Sequence, residues 1–141
     1  MNKKWLCLGL GFLLCGCGSS KEPVKTEGTG THTSSNGEVT TAKVELEDGK
    51  IKDVDIDETA KGKDKTKKEL GDDYNMKQAS PINKEWDEQV DFFEDYVEKN
   101  GVDKIKVNAD GKAENDDVKS GCTISVDGFI AAIKDGEKNA K

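Results

Sequence analysis

The residues best suited to chemistry lie near the C-terminus, where residues 117–123 read DVKSGCT. This run places a carboxylate, hydroxyl groups and a glycine just before a predicted helix. A helix N-terminus favours a bound anion because of its amide groups and dipole, and Ser120 and Ser125 add hydroxyl donors. The hydroxyl of Thr123 is an unactivated nucleophile, so another enzyme would have to attach any group to it. The simpler interpretation is a turn that leads into a helix.

The segment that begins at residue 38 predicts a β-hairpin. Apolar residues alternate along residues 38–47, which indicates a half-buried strand. Asp48-Gly49 is typical of a tight turn, and residues 50–57 form the predicted return strand. The alternation slips near Lys52-Asp53, which predicts a β-bulge there.

The clearest predicted helix begins at Ser80-Pro81 and ends at Asn100-Gly101. Serine suits the N-cap and proline suits the first turn. Its apolar residues recur at spacings of three and four, and they are Ile82, Trp86, Val90, Phe93 and Val97. A shorter helix is predicted over residues 64–70, ended by Gly71, and a short strand over residues 102–107.

The last predicted helix is capped by Ser125 or Asp127. Its apolar face consists of Val126, Phe129, Ile130 and Ile133. The order of elements predicts a small single α+β domain over residues 38–141. This domain has an N-terminal β-hairpin, a long amphipathic helix and a C-terminal strand-turn-helix that carries the DVKSGCT motif.

The first 37 residues are predicted to lie outside that domain. Residues 1–16 have a lysine-bearing start and a short apolar run, as in a signal peptide. Residues 14–17 (LCGC) resemble a bacterial lipobox, which implies cleavage before Cys17 and acyl chains on that residue. An ordinary secretory signal is the alternative. Residues 17–37 are rich in Gly, Ser and Thr and are predicted to form a lipid-anchored flexible tether.

Composition excludes several classes of function. The chain carries a net charge of −7, which opposes binding to nucleic acid. All 22 basic residues are lysines, so no guanidinium is present to clamp a phosphate. If Cys17 is acylated, Cys122 is the one free thiol left after the signal is removed. One thiol and the single histidine, His32, are too few ligands for a zinc site.

The pattern of Asp117, Ser120, Gly121 and Thr123 resembles the sequence on which bacterial flavin transferases load FMN. The family is the FMN-binding domain of sodium-pumping quinone reductases and of extracellular electron-transfer lipoproteins. Residues 48–54 (DGKIKDV) look like the hairpin of that family. Residues 70–76 (LGDDYNM) and 82–86 (INKEW) look like its lipoprotein branch. The resemblance extends from residue 38 to about residue 132.

The resemblance implies that FMN is bound through a phosphoester to Thr123 and that Asp117 belongs to the recognition motif. The implied partners are a flavin transferase, a membrane NADH dehydrogenase or quinol as electron donor, and extracellular electron acceptors. The protein would then be an electron carrier, not an enzyme, held by a lipid on the extracytoplasmic face of the cell membrane. Ser120, Gly121, Cys122 and Ser125 complete the expected cofactor-binding segment.

Cys122 departs from the family, which usually has Ala or Val at that position. A buried cysteine behaves as a small hydrophobic residue. The alternative is a redox thiol, but the neighbouring Asp116 and Asp117 oppose the electropositive setting that a reactive thiol needs. Replacement of one small apolar residue by another is therefore the favoured interpretation.

A flavin ring also needs a partly apolar platform, and Tyr74, Met76 and Trp86 are candidates for it. Trp86 lies on the apolar stripe of the predicted helix, where core packing is the favoured interpretation, so Tyr74 and Met76, in a polar loop, are the stronger candidates. Gly121 is expected to open one flank of the acceptor hydroxyl. The five lysines at positions 61, 63, 65, 67 and 68 predict a basic surface patch. Such a patch is usually just solvated surface, and the alternative is a docking site for an acidic redox partner.

A second class of function also fits this sequence. The chain would then be a non-redox surface lipoprotein, such as an adhesin, an immunogen or a small binding module, that uses the same fold without flavin. That alternative predicts a colourless protein.

Overall fold

The computed structural model describes residues 21–141. The cleavage site, Cys17 and the rest of the predicted signal lie outside the described residues. The strands are β1 (Lys25–Thr33), β2 (Val39–Glu47) and β3 (Lys50–Glu58). The helices are α1 (Lys67–Leu70), α2 (Trp86–Asn100), α3 (Asp116–Lys119) and α4 (Asp127–Asn139). Two 3-10 turns span Gly71–Tyr74 and Val102–Lys104. The predicted α+β class is confirmed.

The predicted hairpin is the centre of an antiparallel sheet with the order β1-β2-β3. Asp48 and Gly49 both have positive φ, at 51° and 77°, as a two-residue hairpin turn requires. Glu45 pairs with Asp53 while Leu46 pairs with Ile51. Lys52 is therefore an extra residue on β3, which confirms the predicted bulge.

Strand β1 corrects the predicted tether. Residues 25–33 pair with β2 along their whole length, from Lys25 opposite Glu47 to Thr33 opposite Val39. The strand is hard to recognise because glycines replace apolar side chains on its inner face. A Cβ at Gly30 would lie within 3 Å of the main-chain atoms Ala132 O and Gly136 N of α4. Backbone contact with α4 therefore holds β1, and the folded domain begins before residue 38.

Helices cover both edges of the sheet, where unpaired main-chain groups would otherwise be exposed. On the β1 edge, the Thr31 N–H donates to Asp135 Oδ2 at 3.0 Å. On the β3 edge, the Val54 N–H donates to Glu98 Oε1 at 3.1 Å and the Ile56 N–H to Glu94 Oε1 at 2.6 Å. Acidic side chains of α2 thus accept hydrogen bonds from the free N–H groups of β3. From the sequence alone, these acidic residues would be expected to face solvent.

The core lies between one face of the sheet and the helices α2 and α4. Phe129 is at its centre, with ring centroids 5.6 Å from Phe93 and 5.9 Å from Trp86. Burial of such aromatic pairs stabilises the fold both by their area and by their edge-to-face geometry. Within residues 21–141, no helix is both long enough and apolar enough to cross a membrane.

Helix α2 begins five residues later than predicted, with its N-cap at residue 85 instead of Ser80. Its N-cap is Glu85, which forms a reciprocal capping box with Glu88. The Ser80 hydroxyl oxygen instead accepts from the Ile82 and Lys84 N–H groups of the preceding turn, both at 3.4 Å, and from Gln89 Nε2 of α2 at 3.1 Å. The prediction failed because serine followed by proline also suits a turn.

Three further boundaries differ from the predictions. Helix α1 is shorter than residues 64–70, since Thr66 and Glu69 form its capping box; its end at Gly71 is confirmed. Residues 102–107 contain a 3-10 turn and not a strand, and Val107 makes only an isolated bridge to Ala113. The N-cap of α4 is Val126 and no side chain caps it, so neither predicted cap residue has that role.

Candidate functional site

Thr123 lies in the segment between α3 and α4, and α2 fixes its position. The Thr123 N–H donates to Gln89 Oε1 at 2.9 Å, and its hydroxyl donates to the same oxygen at 3.2 Å. Gln89 is completely buried, and its Nε2 donates to Ser80 Oγ and to Lys84 O. One amide side chain therefore ties the Thr123 main chain and hydroxyl to the start of α2.

The motif residues before Thr123 make a compact turn. Asp117 is exposed, and its Oδ2 accepts from the Tyr96 hydroxyl at 3.1 Å. The Ser120 hydroxyl donates to Asp117 O at 2.7 Å. Gly121 is buried, and a Cβ there would lie within 3 Å of the Phe92 ring. The expectation that Gly121 opens a flank of the acceptor is therefore wrong, because the Phe92 ring fills that space.

Cys122 is a core residue and not an accessible thiol. Its exposure is 1 %, and burial raises the pKa of the thiol to about 12 although the Ile124 amide partly offsets this. A thiol with this pKa holds almost no thiolate at neutral pH, so it is a poor nucleophile. The packing interpretation of Cys122 is the one that this geometry supports.

We expect Cys122 to be unreactive toward a disulfide reagent in the folded protein at pH 8. Burial and the raised pKa both act against thiolate attack. The measurement is the rate of thiol titration in mature protein that lacks the signal and carries Ser at position 17. Full reaction is expected only after denaturation, and a fast native reaction would contradict the packing role.

A cavity of about 650 Å³ is lined by Ile124 and Ser125, the two residues that follow Thr123, and Thr123 itself is not among its lining residues. Tyr74, Met76, Trp86 and Phe129 also line it, and the Trp86 and Phe129 rings contact each other. The three candidates for the flavin platform, two from one loop and one from the start of α2, therefore line one space. Its volume falls within the range typical of cofactor and ligand pockets.

One wall of the cavity is polar. Lys67 is buried, and its ammonium forms a hydrogen-bonded ion pair with Glu58 and lies 3.4 Å from Glu38 Oε1. The Thr40 hydroxyl donates to the other Glu58 oxygen at 2.6 Å. His32 lines the same cavity from β1. The sequence analysis predicted none of these five residues as part of a cofactor site.

The predicted lysine patch is thus divided. The side chains at positions 61, 63 and 65 are exposed. Lys67 is in the cavity wall, and Lys68 forms ion pairs of 2.7 Å with Asp55 and Glu94. Only part of that run therefore remains available as a basic surface.

The start of α4 offers fewer anion-binding groups than its sequence suggests. The Val126 and Asp127 N–H groups both donate to Gly111 O, at 2.7 and 3.2 Å. The Ser125 hydroxyl donates to Asp110 O at 3.0 Å. The carboxylates of Asp110 and Asp127 also line the cavity. A phosphate at Thr123 would therefore depend on a covalent bond more than on this helix terminus.

Two of the missed residues carry a signal in the sequence. Gln89 lies three residues after Trp86 and four before Phe93, so a polar side chain sits on the apolar stripe of α2. Lys67 follows Thr66 and precedes Glu69, which is the pattern of a capping box and indicates an ordered helix start. The partners Glu58 and Thr40 carry no such signal.

Among residues 21–141, His, Cys, Asp and Glu side chains form no group of three or more that could hold a metal ion. Comparison with protein-family models, with curated proteins and with solved structures found no match to this chain.

Proposed function

We propose that this protein is a membrane-anchored extracytoplasmic electron carrier that holds FMN as a phosphoester on Thr123. The observation that carries the proposal is the cavity lined by Ile124 and Ser125, which directly follow the segment that resembles a flavinylation motif. Its lining also includes Tyr74 and Met76, from the loop before α2, and Trp86, the first residue of α2.

The residues present fit a flavin in size and chemistry. A cavity of about 650 Å³ is large enough for a three-ring heterocycle. Aromatic faces and a thioether pack favourably against a flat conjugated ring. Lys67 and the Thr40–Glu58 pair supply polar groups on one wall. The covalent bond to Thr123 would hold the phosphate, since the chain has no arginine to bind it.

Gln89 has a defined part in this proposal. Esterification replaces the hydroxyl proton of Thr123 with phosphorus, so the hydroxyl can no longer donate to Gln89 Oε1. The 2.9 Å bond from the Thr123 N–H to the same oxygen does not depend on that proton. Gln89 therefore holds the acceptor residue in place before and after loading by a flavin transferase.

Bound flavin would supply the electron chemistry, and the side chains around the cavity would position it and exclude water. Electrons would come from a membrane NADH dehydrogenase or a quinol and pass to extracellular acceptors such as ferric complexes. The lipid anchor at Cys17, which lies outside the described residues, would keep the protein on the extracytoplasmic face of the cell membrane.

The test is to produce the full chain in cells with and without a bacterial flavin transferase. We expect yellow protein whose in-gel flavin fluorescence survives denaturation only when the transferase is present. Mass analysis of the peptide that contains Thr123 should show the added FMN. A known flavinylated protein, expressed in parallel, controls for transferase activity. Colourless protein beside a loaded control would instead favour the non-redox surface lipoprotein.

A further inference from the structure

Lys67 is a buried cation at the wall of the proposed cofactor cavity. Its exposure is 5 %, and a lysine is seldom buried to this extent unless it is paired. Glu58 hydrogen-bonds its ammonium, and Glu38 Oε1 lies 3.4 Å away. The ammonium also lies 5.3 Å from the Tyr74 ring centroid and 5.7 Å from that of Trp86. The lysine is therefore held beside the two rings expected to contact a flavin.

The position of Lys67 is fixed by more than its charge partners. It is the first residue of α1, directly after the Thr66 cap. The Thr40 hydroxyl orients Glu58 through a 2.6 Å hydrogen bond, and the Glu38 Oε1 atom also accepts from the Lys61 N–H. A preorganised charge of this kind acts on a cofactor without reorganisation of the protein.

The other charges around the cavity are negative. Carboxylates of Glu38, Glu58, Asp110 and Asp127 line it, and Lys67 is the one lysine among its lining residues within the described part of the chain. Such surroundings oppose the gain of electrons by a bound ring. Burial would lower the pKa of Lys67, but hydrogen bonding and charge from Glu58, with the charge of Glu38, raise it overall. The cation therefore persists at neutral pH.

We propose that Lys67 raises the reduction potential of a flavin held in this cavity by placing a positive charge against it. The inference rests on the proposed function. A flavin ring that takes two electrons and one proton from its donor gains one negative charge. An ammonium on the cavity wall stabilises the negative charge of the reduced ring, whereas the acidic residues of the cavity destabilise it.

The experiment compares transferase-loaded protein of the full chain in four forms: wild type, Lys67→Met, Lys67→Arg and Lys68→Met. Lys68 is the matched control, because it is the next residue of α1 and is also paired with two carboxylates, Asp55 and Glu94, but does not line the cavity. The measurement is the midpoint potential of the flavin by anaerobic titration against a reference dye. Covalent loading is followed separately by denaturing-gel fluorescence.

We expect Lys67→Met to shift the equilibrium toward oxidised flavin at least tenfold, or about 30 mV for a two-electron couple. Lys67→Arg and Lys68→Met should stay near the wild-type potential. Equal potentials in loaded Lys67→Met and Lys68→Met would overturn this inference and leave the proposed function standing. Absence of covalent flavin from the wild type would overturn both.

A second variant covers the case in which Lys67→Met does not fold, because that change leaves Glu58 without its cation. Glu58→Gln removes a negative charge from the same wall and keeps a hydrogen-bonding side chain beside Thr40. The potential should then shift in the opposite direction, toward more positive values. A shift to more negative values would contradict the electrostatic role of this wall.

Discussion

Thr123→Ala protein is expected to carry no covalent flavin when it is produced with a flavin transferase. The substitution removes the one oxygen to which the phosphoester would be attached. It should leave the fold intact, because the Thr123 N–H still donates to Gln89 Oε1 and only the 3.2 Å hydroxyl bond is lost. Loss of one such hydrogen bond costs roughly 0.5–1.5 kcal/mol. The measurements are denaturing-gel fluorescence and a thermal melt.

Ser125→Ala is the matched control for this change. Ser125 lies two residues further on and lines the proposed flavin cavity, and its hydroxyl likewise makes one hydrogen bond, to Asp110 O. Ser125→Ala protein should load as the wild type does. Fluorescence that persists in denatured Thr123→Ala, or that disappears in Ser125→Ala instead, would place the attachment on a different hydroxyl.

Gly30→Val protein is expected to lose much of its stability. A Cβ at this position would lie within 3 Å of Ala132 O and Gly136 N, and main-chain atoms of a packed helix cannot move aside as a side-chain end can. Overpacking of this kind costs about 3 kcal/mol or more. In a domain of this size that lowers the melting temperature by roughly 10 °C. Thermal or urea unfolding of the chain without its signal measures the effect.

Thr29→Val is the control, because it places the same side chain one position away on β1. Thr29 is exposed and faces away from α4, so valine there should change the melting temperature little. Equal stability of the Gly30→Val protein and the wild type would mean that β1 is not packed on α4. Residues 25–33 would then behave as the tether that their composition predicts.

The part of the fold that could be predicted rests on regular patterns. The β2–β3 hairpin, its turn and its bulge follow from alternation and from Asp48-Gly49, and the α2 stripe follows from helical spacing. Strand β1 could not be predicted in this way, since Gly28 and Gly30 occupy positions where an apolar alternation would otherwise be seen. Their role depends on the distance to the α4 backbone, which no local pattern encodes.

Some residues of the candidate site could likewise be predicted from the sequence, and others could not. Tyr74 and Met76 were predicted because ring-packing residues in a polar loop call for an explanation, whereas Trp86 lies on the apolar stripe of α2 and also fits the core, and all three line one cavity. Lys67 was predicted as surface because it lies in a lysine-rich run. Its burial depends on Glu38 and Glu58, which come from residues around β2 and β3 and meet it only in the folded chain.

Strand β1 runs from the hairpin turn toward the cavity. Its first end adjoins the hairpin turn, where the Val24 N–H donates to Asp48 Oδ1. His32, near its other end, lines the cavity. Nine strand residues separate these ends by about 27 Å.

With the anchor at Cys17, only residues 18–24 would join the lipid to β1, and seven residues span about 25 Å at most. The hairpin-turn end of β1 would then lie nearer to the anchor along the chain than the end that reaches the cavity. The short connection would not let the domain swing far, so a membrane donor would have to project to the cavity or reach it through a further carrier.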